Sequence, residues 1–159
     1  MSDGGEQHQG VGHLPPPLTY LVFLILGLLA NLYYPVSFSS SGSIVPLALG
    51  LVIVTIGLLV GGYALRAMTR AGVTPVPWRA PEKLVIDGPF RFSRNPLFIS
   101  LTVMYIGISV VANTIWPLGF LVFALVIVNR ETVLQEERFL EKKFGEEYRS
   151  YKMRVRRWI

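Results

Sequence analysis

The fold is decided by residues 97–129, which read LFISLTVMYIGISVVANTIWPLGFLVFALVIVN and contain no charged side chain. A helix needs about 20 apolar residues to cross a hydrocarbon core about 30 Å thick, so this run is too long for one crossing and short for two. In its middle, Asn113 to Pro117 offer Asn and Thr as helix caps and a proline suited to a first helical turn. We therefore predict a hairpin of two membrane-spanning helices, at about 97–112 and 115–134.

Two further uncharged runs precede this stretch, from Leu18 to Val36 and from Ile44 to Leu65. Each reaches or nearly reaches the length of one helical crossing, and we predict spans at about 18–36 and 44–66. The fold class that follows is an all-α polytopic membrane protein with four transmembrane helices, in which spans 3 and 4 form the helical hairpin. A cytoplasmic amphipathic C-terminal helix is expected after the fourth span.

The basic residues predict the orientation of the chain. All Lys and Arg side chains lie in two stretches, Arg66–Arg94 and Arg130–Arg157, which flank spans 3 and 4 at one end. The positive-inside rule places that end in the cytoplasm, and four crossings then make both termini cytoplasmic, in what we expect to be a bacterial cell membrane. The formal net charge of +5 suits contact with anionic membrane lipids. Nucleic acid is not predicted as a partner, because the basic residues flank spans rather than a folded reader, and no obligate protein partner is evident.

The composition favours one membrane domain. Of 159 residues, 52% are apolar, so we assign residues 18–159 to a single domain behind a disordered cytoplasmic tail, 1–17. The tail lacks the basic n-region and cleavage pattern of a secretory signal, so we expect the first span to be retained. The chain has no Cys, which excludes disulfides and a thiol nucleophile. Since His8 and His13 both lie in the tail, no metal site is predicted.

The connector between spans 2 and 3, residues 69–96, is open to two interpretations. It is rich in proline before Glu82 and has Gly88-Pro89 and Asn95-Pro96 turns after it. One reading is a stiff interfacial loop whose Arg and Trp side chains anchor to lipid headgroups. The other is a ligand-binding wall, because connectors this long are rarely idle and Gly88 lets the backbone approach a ligand closely.

The second polar stretch, residues 130–159, continues the fourth helix. Val133, Leu140 and Phe144 share one helical face, and Gly145 is a plausible helix end. On one reading, Glu136 and Glu137 are solvated partners of nearby basic side chains. On the other they form part of a site, because they follow the span by about one turn and face the connector across the same interface.

Several motifs in these two stretches occur together in the order and spacing of one family. They are Leu84-Val85, Gly88-Pro89-Phe90-Arg91-Phe92-Ser93-Arg94-Asn95-Pro96, Glu136-Glu137, Phe144-Gly145-Glu146-Glu147-Tyr148-Arg149-Ser150-Tyr151-Lys152 and Val155-Arg156-Arg157-Trp158. In this combination the chain resembles the isoprenylcysteine carboxyl methyltransferase family and its phospholipid methyltransferase relatives. The resemblance covers about the last eighty residues and implies an integral membrane methyltransferase that uses S-adenosyl-L-methionine without a Rossmann domain.

The resemblance also implies where the cofactor is bound. Its contacts, carried over by position, fall on the connector, the start of the third span and the helix after the fourth. They are Glu82, Lys83, Leu84, Val85, Phe90, Asn95, Pro96, Leu97, Phe98 and Glu136. Charge complementarity adds Arg94 or Arg91 as a partner for the cofactor carboxylate. The family often has His at Asn95, Tyr at Phe90 and Phe98 and, in eukaryotic enzymes, an acceptor-binding Arg at Thr132.

The chemistry of methyl transfer suggests two catalytic candidates. A carboxylate acceptor is already ionised and needs a cation such as Arg130 to hold it. An amine or phenol acceptor must lose a proton, for which Glu137 or Glu131 is a possible base. The acceptor is expected to be a hydrophobic or lipid-like small molecule that enters between the helices, and a prenylcysteine-type carboxylate, a phospholipid amine and a small membrane-dissolved thiol or hydroxyl compound all stay open.

Two other functions are compatible with a small polytopic protein. A proton-coupled exporter usually needs an ionisable residue within a span, and the first three spans contain none. An inactive membrane scaffold of the same fold would be consistent with the departures at Phe90, Asn95 and Thr132. Retention of Glu136, Glu137 and the connector together favours the enzyme.

Overall fold

The computed structural model describes residues 14–40, 42–73 and 82–158, and the regular structure within these ranges is entirely helical. In chain order the helices are α1 (Pro16–Tyr33), α2 (Val45–Arg70), α3 (Pro96–Val111), α4 (Trp116–Val128), α5 (Leu134–Phe144) and α6 (Glu146–Arg154). A 3₁₀ turn, Gly88–Arg91, precedes α3, and a π-helical segment, Asn129–Val133, joins α4 to α5. Most of the predicted disordered tail and the proline-rich part of the connector lie outside the described residues.

Three of the described helices are long and apolar enough to cross a membrane. They are Pro16–Tyr33, Val45–Arg70 and Trp116–Phe144, the last being α4, the π segment and α5 as one continuous helix. In contrast, α3 has 16 residues, which at about 1.5 Å per residue gives about 24 Å, less than the hydrocarbon thickness of about 30 Å. The count of four crossings therefore stays a prediction that depends on α3.

The predicted break in the long uncharged run is confirmed. The first helix of the hairpin ends at Val111 and the second begins at Trp116, with Pro117 in its first turn. Asn113 turns the chain with a φ of 49°, in the left-handed region that Asn tolerates better than most residues. The end predicted for the charged helix is also confirmed, because α5 stops at Phe144 and Gly145 caps it with a φ of 53°.

The capping role predicted for Asn113 and Thr114 is confirmed only for Thr114. The N-cap position of α4 is Ile115, whose side chain forms no cap hydrogen bond, but Thr114 Oγ1 accepts from the amide of Trp116, the first residue of α4, at 3.4 Å. The Asn113 amide instead donates to the Ser39 carbonyl at 3.0 Å and accepts from the Ser39 amide at 3.1 Å. Thr114 Oγ1 donates to Asn31 Oδ1 at 2.9 Å. These side chains therefore tie the tip of the hairpin to α1 and the residues after it.

The helices pack as two pairs, and the two helices of the hairpin, α3 and α4, belong to different pairs. Helix α2 packs along α3 and α1 packs along α4, whereas α3 and α4 touch each other much less. Both pairs meet at glycines: a Cβ added at Gly107 would lie 2.8 Å from the Val54 nitrogen, and one at Gly27 would lie 2.5 Å from the Pro117 Cα. Small residues allow this direct backbone contact in membrane helices. Because α3 and α4 belong to different pairs, space is left between them.

Tyrosine hydroxyls connect the two pairs inside the bundle. The hydroxyls of Tyr20 and Thr102 lie 2.8 Å apart, and Tyr105 donates to the Pro117 carbonyl at 2.8 Å. The buried apolar residues around them form the core: Tyr20, Leu24, Tyr105, Leu121, Ala124, Val128 and Val133. In an apolar medium no water is present to bond these polar groups, so they form hydrogen bonds with each other.

We expect Gly107→Ala to lower the stability of the bundle by about 1–3 kcal/mol, as overpacked cores do, because the added methyl would collide with the α2 backbone near Val54. The measurement is thermal unfolding in detergent. The matched control is Gly62→Ala in the facing helix α2, whose added Cβ would meet nothing within 4 Å. Equal unfolding temperatures for the two variants would contradict the close α2–α3 contact.

Candidate functional site

A buried carboxylate occupies the centre of the end of the bundle where both basic stretches lie. The Glu137 side chain is 7% exposed, and Arg94, 8% exposed, places its Nη1 atom 3.0 Å from Glu137 Oε1. Arg157 approaches from the C-terminal segment and donates from Nε and Nη2 to the two carboxylate oxygens, each at 2.8 Å. This bidentate bond with Glu137 raises the pKa of Arg157. The arrangement is called the Glu137 triad below.

The C-terminal segment is fixed to the start of α3 by main-chain contacts. The Arg157 carbonyl accepts from Ser93 Oγ and from Asn95 Nδ2, both at 3.1 Å. The Arg94 amide donates to the Arg156 carbonyl at 3.0 Å. Three consecutive residues before α3 therefore hold the segment that supplies Arg157 to the triad.

Two tyrosines of α6 close the site from the other side. Tyr148 accepts a hydrogen bond from Arg94 Nη1 at 3.1 Å, and Tyr151 donates to the Phe90 carbonyl at 2.6 Å. Desolvation raises the pKa of both phenols, so they remain protonated at neutral pH. Their rings pack in a second apolar cluster with Val155, Leu84, Leu140 and Phe144.

Two cavities lie beside this assembly. The smaller, about 270 Å³, is lined by the end of α2 and the described part of the connector: Tyr63, Ala67, Arg70, Ala71, Leu84, Val85, Ile86, Asp87 and Gly88. The larger, about 570 Å³, lies between α3 and α4 and is lined by Ile99, Thr102, Val103, Ile106, Leu125, Val126, Asn129 and Trp158. The first has charged side chains in its wall, whereas the second is almost entirely apolar.

The structure brings several of the predicted site residues together. Leu84 belongs to the apolar cluster of α6, the Phe90 carbonyl is bonded to Tyr151, and Arg94 and Asn95 contact the C-terminal segment. Val85 lines the smaller cavity. These residues come from the connector and the start of α3, so the two segments meet α6 and the C-terminal segment at the same end of the bundle.

Other predicted residues lie at the periphery. Pro96 is buried as the first residue of α3, and Leu97 and Phe98 follow it half-buried. Glu82 and Lys83 are exposed in the connector, and Arg130 and Glu136 are exposed on the long fourth helix. Glu136 and Glu137 are consecutive on one helix, so their side chains point about 100° apart, which explains why one is exposed and the other is buried.

The observed contacts bear on the roles predicted for Glu137 and Arg94. Both oxygens of Glu137 already accept hydrogen bonds from guanidinium groups, so proton transfer by this carboxylate would require the triad to open. Arg94 is paired with Glu137 through Nη1, but its Nε atom is buried and has no hydrogen-bond partner among the described residues. That atom is a donor available for an anionic or polar ligand group.

Sequence reasoning missed Arg157, Tyr148, Asn129 and Trp158 as site residues. Arg157, Tyr148 and Trp158 belong to motifs that support the family resemblance but were given no role in the site. The presence of these motifs near the C-terminus is the signal that could have identified them. In the sequence, Asn129 was used only to mark the end of an uncharged run. Its amide lies at the junction of the apolar and charged parts of one helix, and this position is the signal that could have identified it.

Comparisons with known proteins were made for the whole chain. A family model described as phospholipid methyltransferase matches residues 45–147, more than half of the chain, from the start of α2 into α6. An uncharacterised protein of Haemophilus influenzae is 41% identical over 64 residues, which is 40% of this chain and 100% of that protein. No solved structure matches the chain.

We expect Glu137→Ala to destabilise the protein by about 3 kcal/mol, because two arginines would then lack their buried counter-charge. Thermal unfolding in detergent measures the effect. The control is Glu141→Ala, which removes an exposed carboxylate that pairs with Arg149 and Lys152 at 3.3 Å and should change stability little. If Glu137→Ala unfolds at the wild-type temperature, the triad does not hold this end of the bundle together.

Proposed function

This chain belongs to the phospholipid methyltransferase family, and we propose that it is an integral membrane, S-adenosyl-L-methionine-dependent methyltransferase. Its acceptor is a hydrophobic or lipid-like molecule that reacts at the cytoplasmic interface. The family match supports methyl transfer. The observation that carries the proposal of two different ligands is the pair of dissimilar cavities beside the Glu137 triad. A water-soluble methyl donor and an apolar acceptor need cavities whose walls differ in polarity.

The smaller cavity and its surroundings suit the donor. S-Adenosyl-L-methionine would supply a methyl group on a sulfonium, whose carbon would be attacked by the lone pair of an acceptor while the electron pair of the broken S–CH3 bond stays on sulfur. Its carboxylate complements the buried, unpaired Nε of Arg94, as a charge-assisted hydrogen bond. Leu84 and Val85 offer apolar contact, and exposed Glu136 offers an acceptor for hydroxyl or amino hydrogens. Glu82, Lys83, Phe90, Asn95, Pro96, Leu97 and Phe98 complete the proposed set.

The larger cavity suits the acceptor. Its lining is apolar from Ile99 to Ile106 on α3 and at Leu125 and Val126 on α4. Two turns of helix correspond to about 10 Å of depth, enough for part of an alkyl or isoprenoid chain. Because Val126 is exposed, we place the entry of a lipid-like acceptor on this side of the bundle, between α3 and α4.

The residues of the chain contribute mainly by positioning. Alignment of an acceptor with a reactive carbon can supply roughly 7–11 kcal/mol of barrier lowering, and no covalent nucleophile is needed. The Glu137 triad holds Arg94 and the C-terminal segment in place, which favours a positioning role for Glu137. Arg130 is the proposed partner of a carboxylate acceptor, and Glu131 the proposed base for an amine.

A second candidate is N-methylation of a phospholipid amine. It is favoured by Thr132, which stands where eukaryotic carboxyl methyltransferases have an acceptor-binding Arg, and by the description of the matched family. A catalytically inactive membrane scaffold with the same fold is the outcome to be tested against both.

We expect the folded protein in detergent to bind S-adenosyl-L-methionine, measured by calorimetry. Asn95→Ala and Glu136→Ala should bind about tenfold more weakly, the loss that one or two hydrogen bonds produce. Glu147→Ala, which removes an exposed carboxylate on α6, should bind like the wild type. No binding by the folded wild-type protein would refute the enzyme and leave the scaffold.

We further expect transfer of a radiolabelled methyl group into the organic phase of a total lipid extract. Mild base applied to the thin-layer-purified product distinguishes an ester from a methylated amine, because only a methyl ester releases its label as volatile methanol. Label found solely in water-soluble products would contradict a lipid-like acceptor while leaving the methyltransferase intact.

A further inference from the structure

The helix that carries the proposed site changes its winding at one place. Between α4 and α5, residues Asn129–Val133 form a π-helical segment. Such segments are rare, replace the i→i+4 hydrogen bonds of the α-helix by i→i+5 bonds and are found frequently at functional sites. The first residue of this segment, Asn129, lines the larger cavity.

The side-chain oxygen of Asn129 is buried and has no hydrogen-bond partner among the described residues. A buried carbonyl without a partner destabilises a fold, and in native proteins such a group calls for a reason. Most of the cavity wall consists of alkyl side chains, and neither Thr102 nor Trp158, which carry donors in that wall, is bonded to this oxygen. The group is therefore complementary to a donor that comes from outside the chain.

Neighbouring polar groups of the cavity are already engaged. The Thr102 hydroxyl lies 2.8 Å from the Tyr20 hydroxyl and donates to the Phe98 carbonyl at 2.9 Å. Trp158, the other wall residue capable of hydrogen bonding, has an indole that can only donate. Among the described lining residues, Asn129 thus provides the unpaired acceptor, and it lies at the end of the cavity that adjoins the charged helix.

We propose that Asn129 is a specificity-determining residue whose side-chain oxygen accepts a hydrogen bond from an N–H or O–H on the head of the methyl acceptor. This inference rests on the proposed function, because that function identifies the ligand as the methyl acceptor. The alkyl part of the same molecule lies along Ile99, Val103 and Ile106. The cavity thereby prefers an amine or hydroxyl head on an apolar chain to a head without a donor.

The test uses two probes with the same chain and the same charge. Dodecylammonium carries three N–H donors, whereas dodecyltrimethylammonium carries none. Binding of each to the full-length protein in nanodiscs is followed by tryptophan fluorescence, to which Trp158 in the cavity wall contributes. No methyl donor is present, so the result is independent of cofactor binding and of catalysis.

The wild-type protein is expected to bind dodecylammonium about tenfold more tightly than dodecyltrimethylammonium, the ratio that one buried hydrogen bond produces. Asn129→Leu should abolish that ratio while unfolding at the same or a higher temperature, because it removes a buried unpaired oxygen. Asn129→Ala serves as a second variant in case leucine does not fit. Gln135→Leu, which replaces an exposed amide two turns along the helix, should keep the wild-type ratio.

Two results would overturn the inference. One is a wild-type protein that binds both probes equally, which would mean that water alone satisfies Asn129. The other is a folded Asn129 variant that keeps the preference for dodecylammonium. Failure of the proposed function would show itself separately, as absence of S-adenosyl-L-methionine binding by the same preparation.

Discussion

The end of the bundle that carries the proposed site depends on the desolvated charge of Glu137. A carboxylate that is 7% exposed is tolerated only when cations and hydrogen bonds compensate for the lost water. Arg94 comes from the connector, Glu137 from the helix after α4 and Arg157 from the C-terminal segment, so compensation requires all three segments at once. Neighbouring hydrogen bonds tie Ser93 and Asn95 to the Arg157 carbonyl, and the tyrosines of α6 to Arg94 and the Phe90 carbonyl.

A second constraint acts within the helices and creates the larger cavity. Glycines bring α2 against α3, and Gly27 brings α1 against Pro117 at the start of α4. The hairpin partners α3 and α4 are thereby drawn toward different neighbours and touch little. The space between them is almost entirely apolar and ends at Asn129, whose side-chain oxygen has no hydrogen-bond partner among the described residues. Tight packing in two places thus leaves a cavity in a third, next to the charged end.

Much of the helical framework could be predicted because it depends on local properties of the chain. The lengths of uncharged runs, the turn from Asn113 to Pro117 and the glycine at residue 145 predicted where helices begin and end, and the structure agrees within a few residues. The role of individual carboxylates could not be predicted in this way. Glu136 and Glu137 are identical in chemistry and adjacent in sequence, and the helix face that meets Arg94 and Arg157 decides which of them is buried.

The sequence alone therefore determined the helical class, the helix boundaries and the family, because apolar runs, turn residues and recurrent motifs are properties of contiguous stretches. The tertiary structure decided which helices pair, that Glu137 lies between two arginines, and that Asn129 faces a cavity with its oxygen unpaired among the described residues. Whether a side chain is buried or paired depends on groups that are distant along the chain. The free energies of burial and pairing are therefore determined only when those groups come together in space.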